Sequence, residues 1–415
     1  MFRLWKKEMK RILQTRSSLL FLAGALILSV FMAYVPVTFE RFSYEENGQK
    51  ITLNGREALA VKKDLQSPNA GEVTPEKLAA GLAVYQRCLT AYGDFYSGEF
   101  PLNVHNNEIL PWMAMVTRLL EIMADSETGI APEYAQITEA DALNFYDRCR
   151  THVTDLMNLE YRDNPAVKKI AGKMYDKVQG PFYYYPGYNT NMTEYVGMYL
   201  FLLMFLCVMV TTPLFCSEYQ TGADDILRST KYGRRTLAFI KILCAIPISI
   251  AAFTLCMTVF MVISNSLFGW ECRRTSIQIL FSAATLLPLD VGGMQNLIML
   301  AGFVTLLSCV SFTLFLSSAC KNTTIATGLS IMFCLLPSIL YTMTGSSFSA
   351  YLRILLPSGG LGGTNAFVYA LTSYFEFLKI GPATVWTPWL LLTVPAVEIP
   401  LFLWLTVRTY CRRSL

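Results

Sequence analysis

YVGMYLFLLMFLCVMVTTPLFCS, from Tyr195 to Ser217, runs for 23 residues without Asp, Glu, Lys or Arg. A helix rises 1.5 Å per residue, so about 20 apolar residues cross a hydrocarbon layer of about 30 Å while satisfying their own backbone groups. Four more charge-free runs stand in the 415-residue chain: Ser17 to Phe39, Ile242 to Trp270, Val291 to Cys320 and Asn322 to Leu352. A sixth, from about Pro388 to Val407, is interrupted only by Glu398. Thr275 to Leu289 is too short to span, and Ile354 to Phe375 is broken by Pro357 and four glycines. Both are expected to be re-entrant or interfacial. The expected fold class is an all-α polytopic membrane protein with six transmembrane helices.

Composition agrees, because 53% of the residues are hydrophobic and 15% charged, against roughly 25% charged in a soluble domain. A soluble globule, a disordered chain and a disulfide scaffold are thereby excluded. Residues 40–193 hold 36 of the 64 charged residues, at net −6, and the rest of the chain sums to +10. A polar insert therefore separates the first and second spans. Apolar residues recur at three- and four-residue steps from Pro75 to about Ser97, Pro111 to about Asp125, Thr138 to about Tyr161 and Pro165 to about Gln179. The insert is expected to be mostly helical, with Thr74 or Thr138 as N-caps and Pro75 and Pro165 in first turns.

With six spans, Lys and Arg near span ends divide 14 to 4 in favour of the side carrying both termini. That bias places both termini in the cytoplasm and the insert outside the cell. Phe2, Trp5, Met9 and Ile12 recur at helical spacing opposite Lys6, Lys7, Lys10 and Arg11, which predicts a helix along the inner membrane surface. The apolar run after it is too long for a cleaved secretory signal and is read as retained. The expected units are 1–39, the surface helix and first span; 40–193, the extracellular domain; and 194–415, the other five spans with a re-entrant outer segment at about 346–380.

The chain is poor in catalytic groups. Its two histidines, His105 and His152, lie in the insert, and Cys149 with His152 makes a lone Cys-x-x-His without a second pair at metal-ligand spacing, so no metal site is expected. Cys88 and Cys149 are the only cysteines of the insert. They form either a disulfide on the oxidising side or two buried free thiols. The glycine-rich run Ser358 to Thr364 lacks the lysine of a phosphate loop and is read as a turn between short helices. Glu398 is the intramembrane polar candidate, expected to face the interior, because a carboxylate facing lipid is costly. It is open to a substrate path or to a structural hydrogen bond.

After the second span comes FCSEYQTGADDILRSTKYGRR, Phe215 to Arg235, with Lys241 inside the third. Thr221 and Asp224 have capping-box spacing, Asp224 and Asp225 suit the first turn of a helix, and Gly233 would end it. A short cytoplasmic helix offering Ile226 and Leu227 is expected, within about 218–235. Here the sequence resembles the permease subunits of type-2 ABC transporters, through Glu218, Gly222, Leu227, Ser229, Thr230, Gly233, Arg234 and Lys241. The likeness extends loosely over the surface helix, the six spans and the broken segment before the last, but not over residues 40–193.

The resemblance implies an exporter-like permease working as half of a homo- or heterodimer in the plasma membrane. ATP and Mg would be bound by a separate ATP-binding subunit, with no cofactor in this chain and no enzymatic activity of its own. That subunit would grip the short helix: Ile226 and Leu227 as anchors, Asp224 and Asp225 shaping its start, Arg228 at the rim. Glu218 would transmit motion through Arg234, Arg235 or Lys241, with Gly222 and Gly233 at the joints. Membrane lipid is the other expected partner, and no nucleic acid is. The alternative is a polytopic sensor whose outer domain binds a ligand.

Overall fold

The computed structural model describes residues 2–95, 97–230, 233–342, 347–359, 366–372 and 375–412, except the side chains of Arg228, Ser347 and Ala366. Among these, six helices are long and apolar enough to cross a membrane: Arg16–Thr38, Thr190–Thr221, Arg235–Phe268, Val291–Ala319, Thr323–Thr342 and Thr387–Arg412. The fourth is central, packed on the second, third, fifth and sixth, while the first lies against the second and third. Packing between apolar helices in lipid rests on close approach and shared hydrogen bonds. Both occur here. A side chain at Gly302 of the fourth span would collide with Leu200 of the second. The Tyr199 hydroxyl donates to the Ala25 carbonyl at 2.9 Å, and the amides of Asn265 and Gln295 pair at 3.1 and 3.4 Å.

Proline interrupts the second span. Pro213 has no N–H and interrupts the backbone ladder. Ser317 of the fourth span repairs the break: its hydroxyl donates to the Thr212 carbonyl at 2.6 Å and accepts from the N–H groups of Phe215 at 3.1 Å and Cys216 at 3.3 Å. The span then continues as Pro213–Thr221.

The insert begins with an antiparallel hairpin, Arg41–Glu46 against Gln49–Asn54, and is otherwise mainly helical. Its helices are shorter than the periodicity suggests. Pro75 opens a helix that ends at Tyr92, Pro165 one that ends at Tyr175, and the stretch from Thr138 divides at Asn144 into Glu139–Leu143 and Phe145–Glu160. Thr74 and Thr138 both act as N-caps, the latter in a capping box with Asp141.

Among the described residues, neither doubtful apolar segment forms a helix long enough to span. Residues 275–290 form one turn of helix, Ile277–Leu280, and tuck beneath the insert. There the Glu121 carboxylate accepts from the Ser282 hydroxyl at 2.5 Å, and the Tyr175 hydroxyl donates to the Ala283 carbonyl at 2.9 Å. Tyr185 exchanges two 2.9 Å backbone bonds with the Thr275 hydroxyl. One apolar cluster consequently runs from the insert into the spans. Between the fifth and sixth spans come short helices Ser347–Ile354 and Ala366–Thr372, and the expected re-entrant segment ends instead in a hairpin, Phe377–Ile380 with Ala383–Trp386. Buried Arg353 clamps it through the Glu376 carboxylate at 2.8 and 3.0 Å. Ser358 and Gly359 are described, with the Ser358 hydroxyl on the Cys334 carbonyl at 2.6 Å. Gly360 to Thr364 lie outside the described residues.

Candidate functional site

At the end of the bundle opposite the insert, Gly222 ends the second helical stretch at φ +68° and ψ +7°. That left-handed conformation strains any residue with a Cβ, so glycine lets one helix stop and another start at an angle. The new helix is Ala223–Ser229. The expected capping box is not formed: the Thr221 hydroxyl turns back to the Ser217 carbonyl at 3.0 Å and the Glu218 carbonyl at 3.3 Å. Gly222 takes the N-cap position, and Asp224 and Asp225 occupy the first turn, where the helix dipole favours carboxylates.

The other end stops before Gly233. The Ser229 hydroxyl donates to the Ile226 carbonyl at 2.8 Å and that of Thr230 to the Leu227 carbonyl at 2.6 Å, which satisfies two of the last carbonyls. Gly233 serves elsewhere, its carbonyl accepting from Tyr410 of the sixth span at 3.2 Å. Ile226 is 73% exposed, whereas Leu227 packs partly against the core. Of the two expected anchors, Ile226 is the one presented outward. The side chain of Arg228 lies outside the description, as do Lys231 and Tyr232.

Glu218, 3% exposed, sits one turn before the glycine joint. One carboxylate oxygen accepts from Arg11 of the N-terminal helix at 2.9 Å and the other is ion-paired with Lys241. Of the expected partners, Lys241 is the one engaged. Among the described residues, neither Arg234 nor Arg235 pairs with Glu218; Arg234 is exposed, and the Arg235 guanidinium lies over the Phe239 ring. Lys241 is fully buried, donates also to the Leu214 carbonyl and lies 4.7 Å from the Phe215 ring centroid.

Arg11 has a second carboxylate, Glu8, at 2.7 Å. Two acids and two bases thus join the N-terminal helix, the second span and the third. The N-terminal helix Phe2–Gln14 accordingly uses part of its length for packing on the third span, with the Trp5 indole donating to the Leu243 carbonyl at 3.2 Å. Sequence reasoning missed Glu8, Arg11 and Tyr410. Glu8 did carry a signal, as the only acid in a basic helix, buried beside Ile12.

Glu398 is buried and accepts from the Ser308 hydroxyl of the fourth span at 2.6 Å. That bond links the sixth span to the fourth. Cys88 and Cys149 are both free and buried in separate apolar clusters, so the disulfide alternative is not formed. Burial raises both thiols above their ordinary pKa. Among the described residues, no group of His, Cys, Asp and Glu could hold a metal ion.

The profile of the ABC-2 family transporter proteins matches residues 136–408. No curated protein and no solved structure matches the chain. The match spans the last part of the insert and every helix from the second span to the sixth, so family likeness reaches into residues 136–193 of the insert, where no motif resemblance is expected. Six apolar helices joined in this order fit a membrane permease component, and the chain belongs to the ABC-2 transporter family.

Proposed function

We propose that this chain is the permease subunit of an ATP-driven exporter, with ATP and Mg held by a separate ATP-binding subunit that docks on Ala223–Ser229. The observation that carries the reading is an apolar side chain, Ile226, exposed on a short helix whose base is anchored by the buried Glu218, Lys241 and Arg11 set. A helix on a glycine joint moves as a unit, and the ion pairs pass its displacement to the second and third spans and to the N-terminal helix. Two such chains would alternate access between the two sides as their ATPases close. The 14 to 4 bias in Lys and Arg supports cytoplasmic termini and an extracellular insert. Family membership weighs against a sensor.

Interfaces of this kind rest on a few apolar anchors. Ile226→Asp with Leu227→Asp is expected to abolish co-purification of the ATP-binding subunit while the permease still inserts. A double variant that keeps its ATPase and its transport would show that docking occurs elsewhere.

A further inference from the structure

Between the third and sixth spans, at the end that carries the termini, lies a groove of about 630 Å³. Arg235, which opens the third span, stands on its rim with Arg408 and Arg412, which close the sixth. Below them the walls are apolar: Phe239 and Ile242 on one side, Pro400, Leu403 and Val407 on the other. The guanidinium of Arg235 lies 5.8 Å from the Phe239 ring centroid and that of Arg408 lies 4.9 Å from the Trp404 ring centroid. A cation–π contact of this kind holds the guanidinium beside the ring, and the ring accepts no N–H as an anion would, so N–H groups remain for an anion. Among the described residues, no carboxylate pairs with Arg235, Arg408 or Arg412.

The occupant must match both halves of this site. A soluble anion would leave the apolar walls unused, and an apolar helix would leave three cations unmatched. A molecule with a phosphate at one end and an alkyl chain at the other answers both, and it is what borders two spans at a membrane surface. We propose that the groove binds an anionic phospholipid, its phosphate among Arg235, Arg408 and Arg412 and an acyl chain along Phe239, Leu403 and Val407. The bound lipid ties the start of the third span, six residues after Ser229, to the end of the sixth. The site rests on the six-span fold and on charge complementarity, and stands whether or not an ATPase docks nearby.

The test uses the full-length chain in detergent, with native mass spectrometry reading bound lipid. The probes are dioleoylphosphatidylglycerol, dioleoylphosphatidylcholine with the same acyl chains, and glycerol phosphate as the headgroup alone. Phosphatidylglycerol is expected to bind preferentially, and the triple variant Arg235→Gln, Arg408→Gln, Arg412→Gln to weaken it about a hundredfold, at roughly fivefold per arginine. Replacing the same three by Lys should keep most of the binding. Leu403→Trp with Val407→Trp, which fills the groove and spares the arginines, should also reduce it. Lys7→Gln with Lys10→Gln, on exposed positions of the N-terminal helix, should leave it unchanged.

Equal retention of the two lipids would overturn the proposal, as would a loss in the Lys7 and Lys10 control as large as in the triple variant. Full binding by the groove-filled variant would show that surface charge alone is read. Displacement by glycerol phosphate at the affinity of the lipid would identify a free-anion site instead. A dimer that dissociates in the triple variant, with bound lipid unchanged, would assign the groove to a second copy of the chain. Monodisperse elution of each variant confirms that it is folded.

Discussion

Lys241 is fully buried in an apolar helix, and a buried cation is tolerated only with its charge matched. Glu218 matches it, shared with Arg11. Removing one partner of a buried pair leaves the other stranded, so Glu218→Ala is expected to destabilise the protein by about 3–5 kcal/mol. Glu218→Gln with Lys241→Met, which removes both charges, should recover most of that loss. Thermal unfolding of the single and double variants in detergent gives the comparison, and additive losses would mean that the two side chains do not act as a pair. A second residue-scale effect lies in the insert, where burial lowers the pKa of His152 below 6.5 against the opposing pull of Glu121 and Asp155. With the folded pKa below the unfolded one, the unfolded state binds more protons between the two values. The contribution of His152 is therefore full above the unfolded pKa and lost as pH falls through about 6.5 towards the folded value. His152→Gln should flatten the dependence of melting temperature on pH across that window.

The second span is the element on which the site depends, because one proline and one glycine divide it into pieces. Pro213 opens the ladder inside the bundle and Gly222 turns the chain at its end, and between them lies the nine-residue segment Pro213–Thr221 that carries Glu218. Ser317 keeps the first break from being a loss by serving three backbone groups at once. Ser317→Ala is expected to leave buried N–H and C=O groups unpaired, at a cost of roughly 1–3 kcal/mol. Faster amide exchange at Phe215 and Cys216 would follow, measured by mass spectrometry on the intact protein. Protection equal to that of the parent would mean that the break is stabilised from another side. Along this segment, Phe215 and Tyr219 both meet the Tyr410 ring, so the sixth span is in contact with both ends of it.

At the scale of the whole molecule, the insert and the bundle form one body. Residues 275–290 lie between them and bond to both Glu121 and Tyr175 of the insert, and the hydroxyl of Tyr161 bonds to the Phe375 carbonyl before the last span. Movement of the spans would therefore be felt by the insert. Its side of the membrane is open to direct measurement, since Asn47 lies at the exposed tip of the first hairpin and Cys411 near the opposite end. An impermeant thiol reagent on intact cells is expected to label Asn47→Cys and to leave Cys411 unmodified. Labelling of Cys411 from outside would reverse the orientation or remove a span.

Much of this protein is decided locally. Five charge-free runs of bilayer length and a sixth interrupted only by Glu398 specify six spans, because a backbone in lipid must satisfy its own hydrogen bonds whatever packs beside it. Thr74, Thr138, Pro75 and Pro165 mark helix starts for the same local reason. The short helix was legible from its two aspartates, but its capping by Thr221 and its end at Gly233 were not, since Thr221 has a carbonyl of its own helix within reach and takes that bond first. What only the tertiary structure decided is which charges meet. Arg11 reaches Glu218 across 207 positions and Lys241 across 23. Sequence spacing could not choose among Arg234, Arg235 and Lys241, because the choice depends on which face of the third span turns towards the second. That turn is fixed by packing, and burial then selects the one pairing that leaves no charge unmatched.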